Sequence, residues 1–271
     1  MILVDGQPQD AVSALDRGLL YGDGLFETIR FVGDTAPLWP RHMQRLARGC
    51  ERLRLPMPDP AQLWHEAQTA RSDMAQAVLR ITFTRGVGVR GYVMSSAPQA
   101  TRIVAAFPMP ALDAALYRDG VRLHLCETRL AEQPRLAGIK HLNRLEQVLA
   151  RAEWSDSAIA EGLLCDVRGN AMSATAANLF AVIDGVPVTP ALERCGVAGV
   201  LRAELLQVLP RVEVRDLPLH ECLGAGELFL SSSVRGILPV QAVGTKMFVP
   251  GPVARAMQAH WRGLGFPMEQ A

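Results

Sequence analysis

The chain has 271 residues, with 49% apolar and 20% charged side chains, ordinary globular values that exclude a disordered or collagen-like chain and predict a real hydrophobic core. Twenty-eight basic against twenty-seven acidic residues leave a net charge of +1, so no positive field calls for nucleic acid or an anionic membrane. A small-molecule partner is expected.

Ile2-Leu3-Val4 before Asp5-Gly6, and Leu25 to Val32 before Gly33-Asp34, read as strands of hairpins. From Leu38 the period changes. Trp39, Met43, Leu46, Cys50 and Leu53 recur at helical spacing, predicting an amphipathic helix. Asp59-Pro60 opens a second helix running to about Ser72, with Asp as cap and Pro in the first turn. Residues 78–84 and 103–107 read as strands. Pro108-Met109-Pro110 interrupts the pattern, since proline cannot donate to a ladder. This gives a domain at 1–108, a link at 109–118 and a second domain at 119–271. In that second part, residues 121–126 read as a strand, and Leu142, Leu145, Leu149 and Ala152 form a helical stripe after Lys140. Strands follow at 162–167 and 179–188, the latter turning at Asp184-Gly185. A helix at 200–209, strands at 227–231 and 237–243, and a closing helix at 252–264 complete the chain. Strands and helices mix without strict alternation, which predicts an α+β architecture of two domains.

Cys50, Cys126, Cys165, Cys195 and Cys222 form an odd set without a CxxC pair, which argues against a disulfide framework and a zinc site. Free thiols suit a reducing compartment. The first residues resemble no signal peptide, and no apolar run approaches the roughly 20 residues needed to span a bilayer. A cytoplasmic location is expected. Among the basic residues only Lys140 and Lys246 are lysines, so chemistry that needs a lysine amine has two candidates.

Gly86-Val87-Gly88-Val89-Arg90-Gly91 fits the G-x-G-x-x-G dinucleotide pattern, which requires a helix directly afterwards. Tyr92 to Pro98 is poor helix material, so the segment reads as an Arg-bearing loop. Lys140 follows Gly138-Ile139 and leads the predicted helix. By position it is either a solvated helix-end lysine or an amine desolvated enough for Schiff-base chemistry. Lys246 lies in an apparent turn and reads as a surface charge. Three segments suit a phosphate: His42 and Arg45 on one helix face, Gly196 to Leu201 before a helix whose amides can bind an anion, and Ser231-Ser232-Ser233 at a strand end. An amine and a dianion cradle together are what pyridoxal 5′-phosphate needs.

Residues 16–28 (Asp-Arg-Gly-Leu-Leu-Tyr-Gly-Asp-Gly-Leu-Phe-Glu-Thr), 42–46, 140–149, 177–180 and 199–202 occur in the order seen in fold type IV pyridoxal-phosphate enzymes, which the chain resembles over nearly its whole length. Residues 84–92 and 136–144 resemble, within that group, the 4-amino-4-deoxychorismate lyases; branched-chain and D-amino-acid aminotransferases fit these two segments less well. The resemblance implies a homodimer with the active site between two domains. The cofactor would be pyridoxal phosphate, and the reaction would release 4-aminobenzoate and pyruvate in folate precursor synthesis. It makes Lys140 the Schiff-base lysine, carried by the second domain, and Arg45 the phosphate-holding arginine. Val200 and Leu201 match the turn whose amides reach the phosphate, Ser232 and Ser233 the segment closing the cradle, and Asn178, of the Asn-Leu-Phe motif, is a further cofactor-binding residue.

One position departs from that pattern. Five residues before Asn178, where the family has a glutamate for the pyridine nitrogen, stands Ser173, whose hydroxyl can hydrogen-bond an unprotonated pyridine but supplies no negative charge. Glu161 and Asp166 are too far along the strand pattern to replace it. The loss should harm amino transfer more than a lyase reaction driven by aromatisation. The substrate's two carboxylates call for cationic donors, with Arg30, Arg90 and Arg235 as candidates and Tyr92 as a positioning residue; each arginine can equally be a surface charge. Two rival readings stay open: an aminotransferase, and a non-catalytic dimer that binds the cofactor.

Overall fold

The computed structural model describes residues 1–268, and its chain divides into two compact units: Met1–Pro110 with Ile139–Asn143, and Ala111–Gly138 with Arg144 onward. The first unit begins with β1 (Ile2–Val4), which turns through Asp5 and Gly6, both at positive φ, into β2 (Gln7–Pro8). The short α1 (Arg17–Tyr21) is capped by Asp16, whose carboxylate accepts from Gly18 N at 2.7 Å. Then follow β3 (Gly24–Val32), α2 (Trp39–Leu53), α3 (Pro60–Arg71), β4 (Gln76–Thr84) and β5 (Thr101–Pro108). Asp59 caps α3 by accepting from Ala61 N at 2.9 Å, the device that its Asp-Pro start predicts. The sheet order is β2-β1-β5-β4-β3, antiparallel throughout.

Gly33-Asp34 does not make the hairpin expected after β3. The turn closes a single bridge, Val32 to Thr35, and β3 pairs along its whole length with β4, which arrives after both helices. The reason is burial: α2 and α3 cover the inner residues, where Phe31 packs against Trp64 and Trp39 at centroid distances of 5.4 and 6.2 Å. Leu46, Leu63, Leu79 and Ile81 are fully enclosed there, each stabilising the fold by about 1.5–3 kcal/mol through its removal from water.

The second unit starts inside the expected link, because residues 114–118 form a helix, α4 (Ala114–Arg118), capped by Asp113. It continues with β6 (Val121–Leu130), α5 (Leu145–Arg151), β7 (Ile159–Asp166), β8 (Ala171–Ala174), β9 (Asn178–Ile183), β10 (Val186–Pro190), α6 (Val200–Val208), β11 (Glu213–Arg215), α7 (Leu219–Gly224), β12 (Glu227–Ser232), β13 (Gly236–Val243), β14 (Lys246–Met247) and α8 (Pro252–Gly263). The strand order is β11-β10-β9-β12-β13-β6-β7-β8, and β8 also pairs with β9 at Ser173 and Asn178. That last pairing closes six strands into a ring and leaves them without an open edge there. Asp184 and Gly185, both at positive φ, make the predicted tight turn between β9 and β10. Stacked Phe180 and Phe229 and stacked Trp261 and Phe266 fill the interior. Both units combine sheet and helix, an α+β architecture.

Two expectations around Lys140 need correction. The helix starts at Leu145 rather than at Lys140, and the segment bearing the lysine packs with the first unit rather than the second. The apolar stripe was misleading because Leu145 and Leu149 are exposed, 75% and 62%, while Ala150 faces the core.

Candidate active site

Residues 140–142 run beside the start of β3 as a short added strand. Phe26 N donates to Lys140 O at 2.9 Å, Leu142 N donates to Gly24 O at 3.0 Å, and Leu25 bridges His141. Just ahead of β3, Gly22 O accepts from Asn143 Nδ2 at 3.3 Å. Lys140 therefore lies opposite Phe26, with Nζ 4.3 Å from the centre of its ring. The Arg80 guanidinium lies 4.3 Å from the same centroid. Phe26 is thus in cation–π contact with a side chain from the strand on each side of it.

On the next residue of β3, Glu27 is buried and gathers two side chains from α2. Arg45 donates from Nε to Oε1 at 2.8 Å and from Nη2 to Oε2 at 2.5 Å, and His42 Nδ1 lies 2.6 Å from Oε2. Burial pulls the Glu27 carboxyl upward, but the Arg45 charge, its hydrogen bonds and His42 outweigh it and carry the carboxyl down to about 2. Burial holds the His42 imidazole below its ordinary value, against the pull of Glu27. Glu27 is thus ionised, and Nδ1 of a neutral His42 donates to it. The result is an arginine fixed in direction, which suits bidentate anion recognition.

In the second unit, the chain leading to α6 is built with equal care. Gly138 N donates to Gly196 O at 2.9 Å, and Ala198 N donates to Gly138 O at 3.0 Å; Lys140 stands two residues further along the chain. Asn178, at the start of β9, braces the turn from the other side, donating from Nδ2 to Val197 O at 2.8 Å and accepting from Gly199 N at 2.9 Å. Any side chain at Gly199 would collide with that Asn178 oxygen. As the N-cap of α6, Gly199 supplies no capping side chain, so the first amides, those of Val200 and Leu201, are placed to receive an anion. Ser231, paired with Asn178 across β12 and β9, carries a buried hydroxyl with no hydrogen-bond partner among the described residues.

The predicted site residues separate into groups. Lys140 and Arg45 lie in the first unit at the β3 end described above, and Asn178, Val200 and Leu201 lie together in the second. Asn178 braces the turn that leads to Val200 and Leu201. Ser173 is buried on β8 beside Asn178. Ser232 Oγ accepts from Arg235 N at 3.2 Å in the turn before β13, with Ser233 half-buried in the same turn.

The arginines fare differently. Arg30 is buried further along β3, bonded to Gln76 at 3.1 Å, at the end of the β3–β4 pair remote from Phe26. Arg235 is bound in an ion pair to the buried Glu161, which also accepts from Thr175 and from Ala176 N. Arg90 and Tyr92 sit on an exposed loop, which follows β4 without any helix; it is fixed by Arg17 donating to Gly91 O at 2.8 Å and by Tyr92 packing on Tyr21. Sequence reasoning passed over Arg80 and Glu27. Strand alternation in β4, which buries Leu79 and Ile81, was the available signal that Arg80 faces the other way.

Each unit by itself offers groups of the kind that pyridoxal 5′-phosphate needs: the first an amine at Lys140 and a fixed guanidinium at Arg45, the second an uncapped helix start at Val200 and Leu201 and an unsatisfied hydroxyl at Ser231. Comparisons with known proteins agree. The profile of the Amino-transferase class IV family matches residues 24–243. An aminodeoxychorismate lyase from Vibrio harveyi is 36% identical over 268 residues, 96% of this chain and 99% of the relative. The crystal structure of 4-amino-4-deoxychorismate lyase from Pseudomonas aeruginosa superposes with a TM-score of 0.92 at 45% identity, covering 97% of this chain and 98% of the other. A putative branched-chain-amino-acid aminotransferase from Methanocaldococcus jannaschii is 31% identical over 237 residues, 84% of this chain and 81% of the relative. With its amine, its cradle and its sequence all of one kind, the chain belongs to the class IV aminotransferase family.

Proposed function

We propose that this protein is a pyridoxal-phosphate-dependent lyase that converts 4-amino-4-deoxychorismate to 4-aminobenzoate and pyruvate. The observation that carries the reading is the likeness to two such lyases along almost the entire chain, closer than to the aminotransferase of Methanocaldococcus jannaschii. The bound cofactor supplies an electron sink for the pair left when the C4 proton departs.

Lys140 has two tasks in this reading. Its Nζ would hold the cofactor covalently, and as a free amine it would take the substrate's C4 proton as general base. Loss of enolpyruvate from the neighbouring carbon then makes the product ring aromatic. Arg45, Val200 and Leu201 hold the phosphate, with Ser231, Ser232 and Ser233 as hydroxyl donors. Arg80, over the same ring as Lys140, takes a substrate carboxylate. Arg90 and Tyr92 serve the substrate from their loop, whereas Arg30 and Arg235 serve their own ion pairs and hydrogen bonds. Ser173 offers the pyridine nitrogen a hydroxyl, which disfavours amino transfer more than elimination.

A homodimer accompanies this reading. Leu19, Leu20, Val87, Val89 and Tyr92 expose apolar surface on α1 and the adjoining loop, of the kind that subunit contacts cover. The five cysteines are buried and free, and no helix among the described residues is long and apolar enough to cross a membrane; the cytoplasm suits both.

The test is direct. Purified protein given 4-amino-4-deoxychorismate should form 4-aminobenzoate and pyruvate in equal amounts, and borohydride should fix the cofactor to wild type but not to Lys140→Ala. Glutamate formed from 2-oxoglutarate and a D- or branched-chain amino acid, without lyase products, would establish the aminotransferase instead. Bound cofactor with neither product would establish the non-catalytic dimer.

A further inference from the structure

The first turn of α6 carries a buried cation with no counter-charge among the described residues. Arg202 is 7% exposed, donating from Nε to Thr189 Oγ1 at 3.1 Å and from Nη2 to Pro190 O at 2.9 Å. Both acceptors are neutral. Thr189 is itself fully buried and spends its proton on Leu179 O at 2.8 Å. Among the described residues no carboxylate pairs with Arg202, and burial draws its guanidinium down to about 10.

Three physical costs coincide here. A buried ion without a partner is strongly disfavoured. The start of a helix is its positive end, where acidic rather than basic residues are stabilising. Side chains on a helix also lean toward its N-terminus, so Arg202 brings its charge closer to that end. One anion at the start of α6 would offset all three. Val200 and Leu201 present amides there, behind a glycine cap that Asn178 holds rigid.

We propose that Arg202 is a positioning residue for the cofactor's phosphate: its charge, fixed behind the α6 amides by Thr189 and Pro190, sets the affinity of that helix start for a dianion. The inference rests on α6 being the seat of the phosphate, and the experiment separates the two. Full-length protein freed of cofactor is titrated with pyridoxal 5′-phosphate and with pyridoxal, which lacks the phosphate, following the visible absorption of the bound form.

Arg202→Met and Arg202→Gln should weaken pyridoxal 5′-phosphate by about tenfold or more while changing pyridoxal by less than about twofold, and Arg202→Lys, which keeps the charge, should stay within about threefold of wild type. Equal losses for both ligands, no loss, or a lysine variant as weak as the methionine one would overturn the proposal. So would folding of the lysine variant alone, because Arg202 would then serve the fold. Val200→Pro removes one amide at a position where proline is tolerated. If it leaves the preference for the phosphorylated ligand intact, the phosphate seat itself is misplaced; if it lowers that preference and the Arg202 variants do not, only the role of Arg202 falls.

Discussion

Glu27 and Arg45 meet through two parallel hydrogen bonds, 2.8 Å from Nε and 2.5 Å from Nη2, with both side chains enclosed by protein. The pair fixes the direction of a guanidinium that the proposed reaction uses on a phosphate. Removing one partner leaves the other as an unpaired buried charge. Glu27→Gln should therefore cost about 3–5 kcal/mol of stability, read by urea unfolding at neutral pH.

The same carboxylate gives a signed pH dependence. Its folded value of about 2 lies below the ordinary 4.5, so the stability it contributes is fully present above pH 4.5 and is lost as the pH falls toward 2. Unfolding curves collected across that interval should fall more steeply for wild type than for Glu27→Gln; parallel curves would refute the assignment.

The main chain of residues 140 and 142 is bonded to β3, where Phe26 N donates to Lys140 O and Leu142 N to Gly24 O, and this backbone pairing does not depend on the side chain at 140. Lys140→Ala should keep the thermal transition within a few degrees of wild type. It should lower lyase turnover by about a thousandfold or more, because both the covalent anchor and the base are removed.

Arg80 and Arg30 stand on neighbouring strands of the first unit but should answer differently. Arg80→Ala should raise KM for the dicarboxylate substrate about tenfold to a hundredfold, as expected for a lost charged hydrogen bond, without changing cofactor content. Arg30→Met should leave KM near wild type and alter stability instead, because Arg30 bonds Gln76 inside the sheet. Steady-state kinetics beside calorimetry would expose a reversal of these roles.

Asn178 satisfies Val197 O and Gly199 N together. Asn178→Ala should leave both groups short of a partner, at about 1–3 kcal/mol, and should speed cofactor loss on dialysis. Asn178→Asp keeps the acceptor for Gly199 and should recover part of the retention.

Ser173 bears on the choice of reaction. Ser173→Glu should place a carboxylate near the pyridine nitrogen and raise amino transfer from D- or branched-chain donors relative to lyase turnover. An unchanged ratio of the two rates would remove Ser173 from any part in selecting the reaction.

The sequence by itself determined the elements with strong local signals: the α2 stripe, the Asp59 cap, the Asp184-Gly185 turn and α6 with its glycine cap. Each depends on neighbours within a few residues, so spacing and turn chemistry were enough. The scarcity of lysine, together with the family motifs, singled out Lys140. Tertiary structure decided what depends on distant partners. The stripe after Lys140 suggested a helix, yet the segment pairs with β3 because Gly24 and Phe26 offer unpaired edge groups. An arginine in a strand has the same local pattern whether its partner is Gln76, Glu161 or the face of Phe26. Only the packed chain places Arg30 in the sheet, Arg235 on a carboxylate and Arg80 over Phe26, because those partners lie tens of residues away in sequence.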